Sequence, residues 1–393
     1  MNYGIICEYN PFHNGHKYQI KQTGNKNDSI ICVMSGQYVQ RSSPALFDKW
    51  TRALWAVKNG ANLVIELPTV FSTSSAEFFA KAGITLLDSL GICDYISFGC
   101  ENDDIKKFEQ IAEIFASNEY IFKLKEFLDK GNSFALARQK TIEVFFGDEA
   151  SLLSKPNNIL GIEYIKALKA CNSHIKPIGI KRIYSTHDTE KTENNFTSAS
   201  NIREKIYKND MNFELIPENI RKDMKNKLDS KAFCKNEEFY KACYRQLLNT
   251  SEEELSKNPY IREGLEYKFL KEINYSKDYH SLLENVKSKR YAHSRLRRIL
   301  FSNYLKITNY DINSSPCYIR ILAFDSKGRE LIKSAKEKST LPIITKPAHI
   351  KNYSEEVITA FEKENRFTNL SFSFYEKSFE NNMDYKTSPV FVK

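Results

Sequence analysis

The segment EYNPFHNGH, Glu8–His16, follows the short apolar run Tyr3–Cys7 and leads into a helix-like stretch. In parallel α/β proteins such a turn holds phosphates, because the amides of the first helical turn are unpaired and the helix dipole favours an anion there. The stretch reads as a phosphate site in which imidazoles, His13 and His16, stand where other phosphate loops carry glycines. At i, i+3 spacing the two share one face of the turn as the helix begins. Gly15 between them lets backbone amides approach a ligand closely. An imidazole pair over a phosphate neutralises charge building on a pentacoordinate α-phosphorus and on departing pyrophosphate, with no covalent intermediate. No GxGxxG follows the strand and nothing matches GxxxxGK[ST], which speaks against a dinucleotide fingerprint and a Walker loop.

Outward from this turn, strand-like runs at Tyr3–Cys7, Ser29–Met34, Asn62–Glu66 and Tyr95–Phe98 alternate with helix-like segments at His16–Gln22, Asp48–Asn59 and Ala76–Leu90. That alternation predicts an α/β fold with a Rossmann-like parallel sheet and crossover helices. A further helix follows Pro156 to Ala170, then a strand near Pro177–Ile183 and a polar loop Tyr184–Thr197. The stretch SASNIRE, Ser198–Glu204, opens another helix. Ser198, Ser200 and Arg203 there form either a routine cap with an exposed arginine or, with the histidine turn, a second grip on a polyphosphate. The pattern turns helical beyond Asn209–Pro217, so the expected domains are 1–210 for nucleotide chemistry and 211–393, a second, mainly helical basic domain. That second domain ends in a small α/β portion, Tyr318–Thr345, and a polar tail.

Length and composition bound the rest. A chain of 393 residues with 41% apolar and 27% charged residues is expected to form two or three soluble globular domains. No apolar run approaches the roughly 20 residues of a membrane span. The N-terminal residues lack a basic signal-peptide region, so the expected location is cytoplasmic. Eight scattered cysteines form no CxxC pair and no zinc spacing, and read as buried thiols of a reducing compartment. The formal charge of +9 permits a nucleic-acid partner without demanding one. The charge is concentrated between Lys287 and Lys306, where Lys289, Arg290, Arg295, Arg297 and Arg298 interleave with Tyr291, Phe301 and Tyr304 and no acidic residue intervenes. Such a helix suits an RNA backbone and unstacked bases. Its stripe of Leu296, Ile299, Leu300 and Leu305 also packs a core.

HxGH after the first strand with S-x-S-x-x-R late in the domain resembles the HIGH-motif nucleotidyltransferase superfamily. A longer set of motifs, EYNPFHNGH, MSGQYVQR (Met34–Arg41), NLVIELP (Asn62–Pro68), Phe98-Gly99, PNNILGIEY (Pro156–Tyr164) and RYAHSRLRR (Arg290–Arg298), resembles the bacterial tRNA(Met) cytidine acetate ligase family. One departure is that Thr197 and Ala199 flank Ser198 where the superfamily often has I-S-S-T. The resemblance implies an ATP-dependent ligase that adenylates acetate and passes the acetyl group to the wobble cytidine of elongator tRNA-Met. It implies His13 and His16 as the catalytic pair. It places ATP contacts on Cys7, Glu8, Tyr9, Asn10, Pro11, Phe12, Asn14, Gly15, Lys17, Tyr18, Gln19 and Ile20, and on Gly99, Asn157 and Arg182. Mg²⁺ is expected to accompany ATP, with no protein metal site. Tyr38, Gln40, Arg41, Lys49 and Arg52 remain undivided candidates for the acetate side. The rival readings are an adenylyltransferase acting on a small phosphorylated cofactor precursor and a non-enzymatic RNA-binding protein.

Overall fold

The computed structural model describes residues 1–102, 104–147, 153, 155–182, 195–288 and 291–393. The chain runs β1 (Asn2–Cys7), α1 (Asn14–Gln22), β2 (Ser29–Ser35), the short hairpin β3 (Tyr38–Val39) and β4 (Ser43–Pro44), α2 (Lys49–Val57), β5 (Leu63–Leu67), α3 (Thr69–Ser72), α4 (Ala76–Ser89) and β6 (Tyr95–Cys100). Three helices that local sequence pattern did not single out follow: α5 (Ile105–Phe115), α6 (Asn118–Asp129) and α7 (Phe134–Phe146). Then come α8 (Pro156–Ala170), β7 (Lys176–Lys181) and α9 (Ala199–Tyr207).

Strands β2 and β5 are buried along their whole length, as expected of parallel strands covered by helices on both faces. The register is parallel for β1 with β2, β2 with β5, β1 with β6, and β6 with β7. The carboxyl ends of these strands therefore open on one edge, where α/β proteins bind ligands. Helix α8 lies tightly over β6, since a Cβ on Gly161 would sit 2.4 Å from the Phe98 ring. Only glycine permits that approach, and it sets Asn157, Leu160 and Tyr164 at the mouth of β6.

Beyond α9 the chain is helical through α10 (Glu218–Asp229), α11 (Asn236–Leu248), α12 (Glu252–Ser256), α13 (Leu265–Glu272), α14 (Tyr279–Val286), α15 (His293–Leu305) and α16 (Asn309–Asn313). It then re-enters the sheet as β8 (Ile319–Phe324), followed by α17 (Ser326–Lys338), β9 (Ile343–Ile344), α18 (Glu355–Phe372), α19 (Met383–Lys386) and β10 (Val390–Phe391). The sheet order is β10-β8-β5-β2-β1-β6-β7, with β9 also on β8 and β8 antiparallel to β5.

The nucleotide sheet thus crosses the expected boundary at 210/211. β8 is buried along nearly its whole length and joins the sheet on the free edge of β5, with β10 and β9 paired to it in turn. The expected polar tail holds an 18-residue helix, α18, whose Val357, Phe361, Phe367 and Phe372 face the core. Six of the eight cysteines are buried; Cys171 is exposed and Cys317 intermediate. No helix among the described residues is long and apolar enough to cross a membrane.

Candidate active site

The turn after β1 is shaped by residues that sequence reading treated as phosphate contacts. Tyr9 takes φ +47, a backbone region that bulky residues avoid unless their surroundings fix them. What fixes it is burial of its ring, 4.9 Å from Phe12 and 4.8 Å from His16, with its hydroxyl 3.4 Å from Cys32 Sγ. Arg52, fully buried, donates to the carbonyls of Phe47, Glu8, Ser35 and Gly36. It pins the ends of β1 and β2 together beneath the site.

His13 is the N-cap of α1. Its Nδ1 accepts the Gly15 amide at 3.0 Å, and the His16 Nδ1 accepts the His13 amide at 3.3 Å, a reciprocal capping box made of imidazoles. The rings lie 3.8 Å apart. Gly15 is required here because a Cβ would meet His13 Cε1 at 2.8 Å. Since each Nδ1 accepts from a backbone amide, each ring carries its proton on Nε2.

Burial, together with the charges of Arg182 and Arg203, lowers the His13 pKa to about 3. Burial, His13 and Arg182 likewise hold His16 well below the ordinary value, although part of its ring remains open. The unliganded pair is therefore neutral at pH 7. Without ligand the pair offers two preorganised N–H dipoles, because burial beside two arginines disfavours a third and a fourth positive charge.

These groups line a cleft of about 610 Å³ at the carboxyl edge of the sheet, within the range of small-molecule sites. It gathers Cys7, Glu8, Tyr9, Asn10, His13, Gly15, His16, Tyr18, Gln19, Gly99, Asn157, Arg182, Ser198, Ser200 and Arg203. On the β7 side, the Arg182 stem lies over Gly99, where a Cβ would stand 3.6 Å from its Cγ. Asn157 holds Glu101 Oε1 at 2.7 Å. On the α9 side, Ser198 Oγ caps the Asn201 amide at 3.2 Å, and Ala199 and Ser200 line the cleft wall beside it. Arg203 reaches Asn10 O at 2.5 Å and Ser200 Oγ at 3.2 Å, joining the two motifs. Thr197 lines the same wall, and its buried hydroxyl has no hydrogen-bond partner among the described residues.

A family model described as HIGH Nucleotidyl Transferase matches residues 1–386. The tRNA(Met) cytidine acetate ligase of Clostridium novyi is 38% identical over 407 residues, covering 99% of each chain. The enzyme of that name from Halothermothrix orenii is 36% identical, covering 95% of this chain and 93% of its own. The chain belongs to the tRNA(Met) cytidine acetate ligase family. The crystal structure of Thermotoga maritima TmcAL bound with alpha-thio ATP superposes with a TM-score of 0.91 at 29% identity, covering 99% of both chains. The apo form of TmcAL gives 0.93 at 29% identity, covering 100% of this chain and 99% of its own.

Within the fold of this family the other candidates have separate places. Phe12 and Ile20 are core residues, Pro11 is buried behind the turn and Lys17 points to solvent; none lines the cleft. Asn14 is occupied as a tether, donating to Asn195 O at 3.0 Å and Glu214 O at 2.8 Å. Of the acetate-side candidates, Gln40 and Arg41 at the β3–β4 hairpin line the cleft, whereas Tyr38, Lys49 and Arg52 do not.

Lys49 is fully buried and ion-paired with Glu66 and Asp384, both at 2.6 Å, in a cluster completed by Arg320. Desolvation outweighs those partners and lowers its pKa to about 8. Burial and Glu66 raise the nearby Glu364 to about 7. Phe79, Leu160 and Tyr164 complete the walls and were missed by sequence reading, although Asn157, Leu160 and Tyr164 share one face of α8 by their spacing.

The basic helix α15 is only partly a free surface. Lys289 and Arg290 lie outside the described residues. Arg295 donates to Tyr260 O at 3.1 Å and stacks on Tyr291. Arg298 turns inward over Tyr260, and its buried Nε has no hydrogen-bond partner among the described residues. Arg297 lies near Tyr240, where its charge and that of Arg203 both oppose the rise that burial imposes on the phenol pKa. This connects α15 to the cleft through α11. Phe301 of α15 and Phe239 of α11 also pack against Tyr38, at 5.3 and 6.2 Å between rings, and so support the hairpin that carries Gln40 and Arg41.

Proposed function

We propose that this chain is an ATP-dependent ligase that activates acetate as acetyl-adenylate and transfers the acetyl group to the wobble cytidine of elongator tRNA-Met, forming N4-acetylcytidine. The observation that carries the reading is the pair of neutral imidazoles, held by a reciprocal capping box, between two anion-binding helix starts in a chain that aligns end to end with tRNA(Met) cytidine acetate ligases. ATP lies with its triphosphate along the starts of α1 and α9. An acetate oxygen attacks the α-phosphorus, the bond to the β-phosphate breaks, and pyrophosphate leaves toward Ser198, Ser200 and Arg203. His13 and His16 donate Nε2–H to the oxygens on which charge develops, a contribution that needs no proton transfer.

Mg²⁺ accompanies ATP, held mainly by the phosphates. Among the described residues no three His, Cys, Asp or Glu side chains group as metal ligands, and Mg²⁺ commonly binds through substrate phosphates and few carboxylates. The cytidine N4 then attacks the acetyl carbon and AMP departs. Arg41 and Arg297 supply basic side chains between the cleft and α15, on which the tRNA phosphates rest. The work proceeds in the cytoplasm, where ATP and tRNA are found.

The test is ATP–pyrophosphate exchange with and without acetate. Acetate-dependent exchange is the expected result. Exchange that ignores acetate would favour the adenylyltransferase reading, and none at all would favour an RNA-binding protein.

A further inference from the structure

The cleft is built for a polyanion, yet a carboxylate stands in it. His13, His16, Arg41, Lys181, Arg182 and Arg203 line the cleft, and Glu8 is the one acidic side chain among the described residues that does so. Its position is well determined. Arg52 holds its carbonyl at 2.6 Å, and its Oε1 accepts the Gln40 amide at 2.7 Å. No ion pair among the described residues engages Glu8, and its Oε2 has no hydrogen bond there. Glu8 lines the cleft together with Arg203 and Tyr164; burial lowers the Arg203 pKa and raises that of Tyr164, and the Glu8 charge opposes the first and adds to the second.

An ionised carboxylate repels phosphates. ATP binding alone gives no reason to keep one here. The second half of the proposed reaction does. Its nucleophile is an exocyclic amine, and the cytosine N4 amine is the donor that a Glu side chain recognises by accepting.

We propose that the Glu8 carboxylate accepts the N4–H of the target cytidine and serves as general base in acetyl transfer, an inference that rests on the function proposed above. The N4 lone pair forms a bond to the acetyl carbonyl carbon and the bond from that carbon to the AMP phosphate oxygen breaks. AMP leaves with the electron pair, and the proton released from N4 passes to Glu8 Oε2. The Gln40 amide on Oε1 leaves Oε2 as the proton acceptor and fixes its direction.

The test separates the two half-reactions in the full chain. Glu8→Gln keeps an oxygen for the Gln40 amide and removes the base. Single-turnover acetylation of an elongator tRNA-Met transcript should fall by about 100-fold or more, the usual range for a general base, and by at least about tenfold more than acetate-dependent ATP–pyrophosphate exchange, which reports any part the side chain takes in holding ATP. Glu8→Asp retains a shortened carboxylate and should recover part of the transfer rate. ATP binding measured on both variants reports whether the cleft is intact.

An exchange rate that drops together with transfer, with a higher Mg²⁺ requirement, would make Glu8 a metal or ATP ligand and overturn the inference. Transfer that persists in Glu8→Gln would overturn it as well. Absence of acetate-dependent exchange in the unsubstituted protein would instead refute the underlying function.

Discussion

His13 performs two tasks that can be separated by substitution. Its Nδ1 accepts the Gly15 amide at 3.0 Å as an N-cap, and its Nε2–H is available to the cleft. His13→Ala removes both. Loss of an N-cap costs about 1 kcal/mol, which in a protein of this size lowers Tm by about 1–2 °C. His13→Asn keeps a strong capping side chain and removes only the reaching donor. Its stability should stay within about 0.5 kcal/mol of the unsubstituted protein. Removal of one preorganised donor to a developing oxyanion costs about 100- to 1,000-fold in rate, or about 2.7–4 kcal/mol of transition-state stabilisation. The assay is a thermal melt paired with acetate-dependent ATP–pyrophosphate exchange at saturating ATP. A His13→Asn protein that melts normally and still exchanges within threefold of the unsubstituted rate would refute the assignment of His13 to the reacting phosphate.

Acid should weaken the unliganded fold. The unfolded histidines titrate near about 6.5 while folded His13 is held down to about 3, so the unfolded state binds more protons in that window. Stability is therefore lost as pH falls below 6.5, by about 1.4 kcal/mol per such histidine at pH 5.5. Urea melts at pH 7.5 and 5.5 should show the loss, and His13→Asn should reduce it; an unchanged difference would contradict the neutral-pair description. Lys49→Met leaves Arg320 as the one cation facing both Glu66 and Asp384 among the described residues and should cost about 3–5 kcal/mol. A well-folded Lys49→Met protein that lacks exchange would instead make Lys49 part of the chemistry. Arg297→Ala should weaken tRNA binding and reduce its salt dependence by about one ion while sparing exchange. Arg298→Ala should chiefly lower Tm, because that side chain is turned inward; filter binding across a salt series distinguishes the two.

The local alternation of strand and helix was legible because each parallel strand is a short apolar run closed by polar residues. The histidine turn and the Ser198–Arg203 helix start were legible because capping chemistry restricts residue type. The destination of β8 was not, since its pairing partner Leu63–Leu67 lies far away in sequence and nothing in the local pattern names it. The same distance hid the buried cluster of Lys49, Glu66, Arg320 and Asp384, in which residues that look like surface cations and anions neutralise one another. The charge state of His13 and His16 depended on their burial beside Arg182 and Arg203, which no periodicity reports. Arg295 and Arg298 looked alike in a basic run, and only the position of Tyr260 shows that one leans on its carbonyl and the other over its ring.

The most direct measurement is mass analysis of nucleosides from unmodified elongator tRNA-Met incubated with the protein, ATP and acetate. The account predicts one acetyl group on the wobble cytidine, appearing only when ATP and acetate are both present. Unmodified cytidine at that position, with ATP consumed in an acetate-dependent manner, would contradict it and assign the activated acetate to another acceptor.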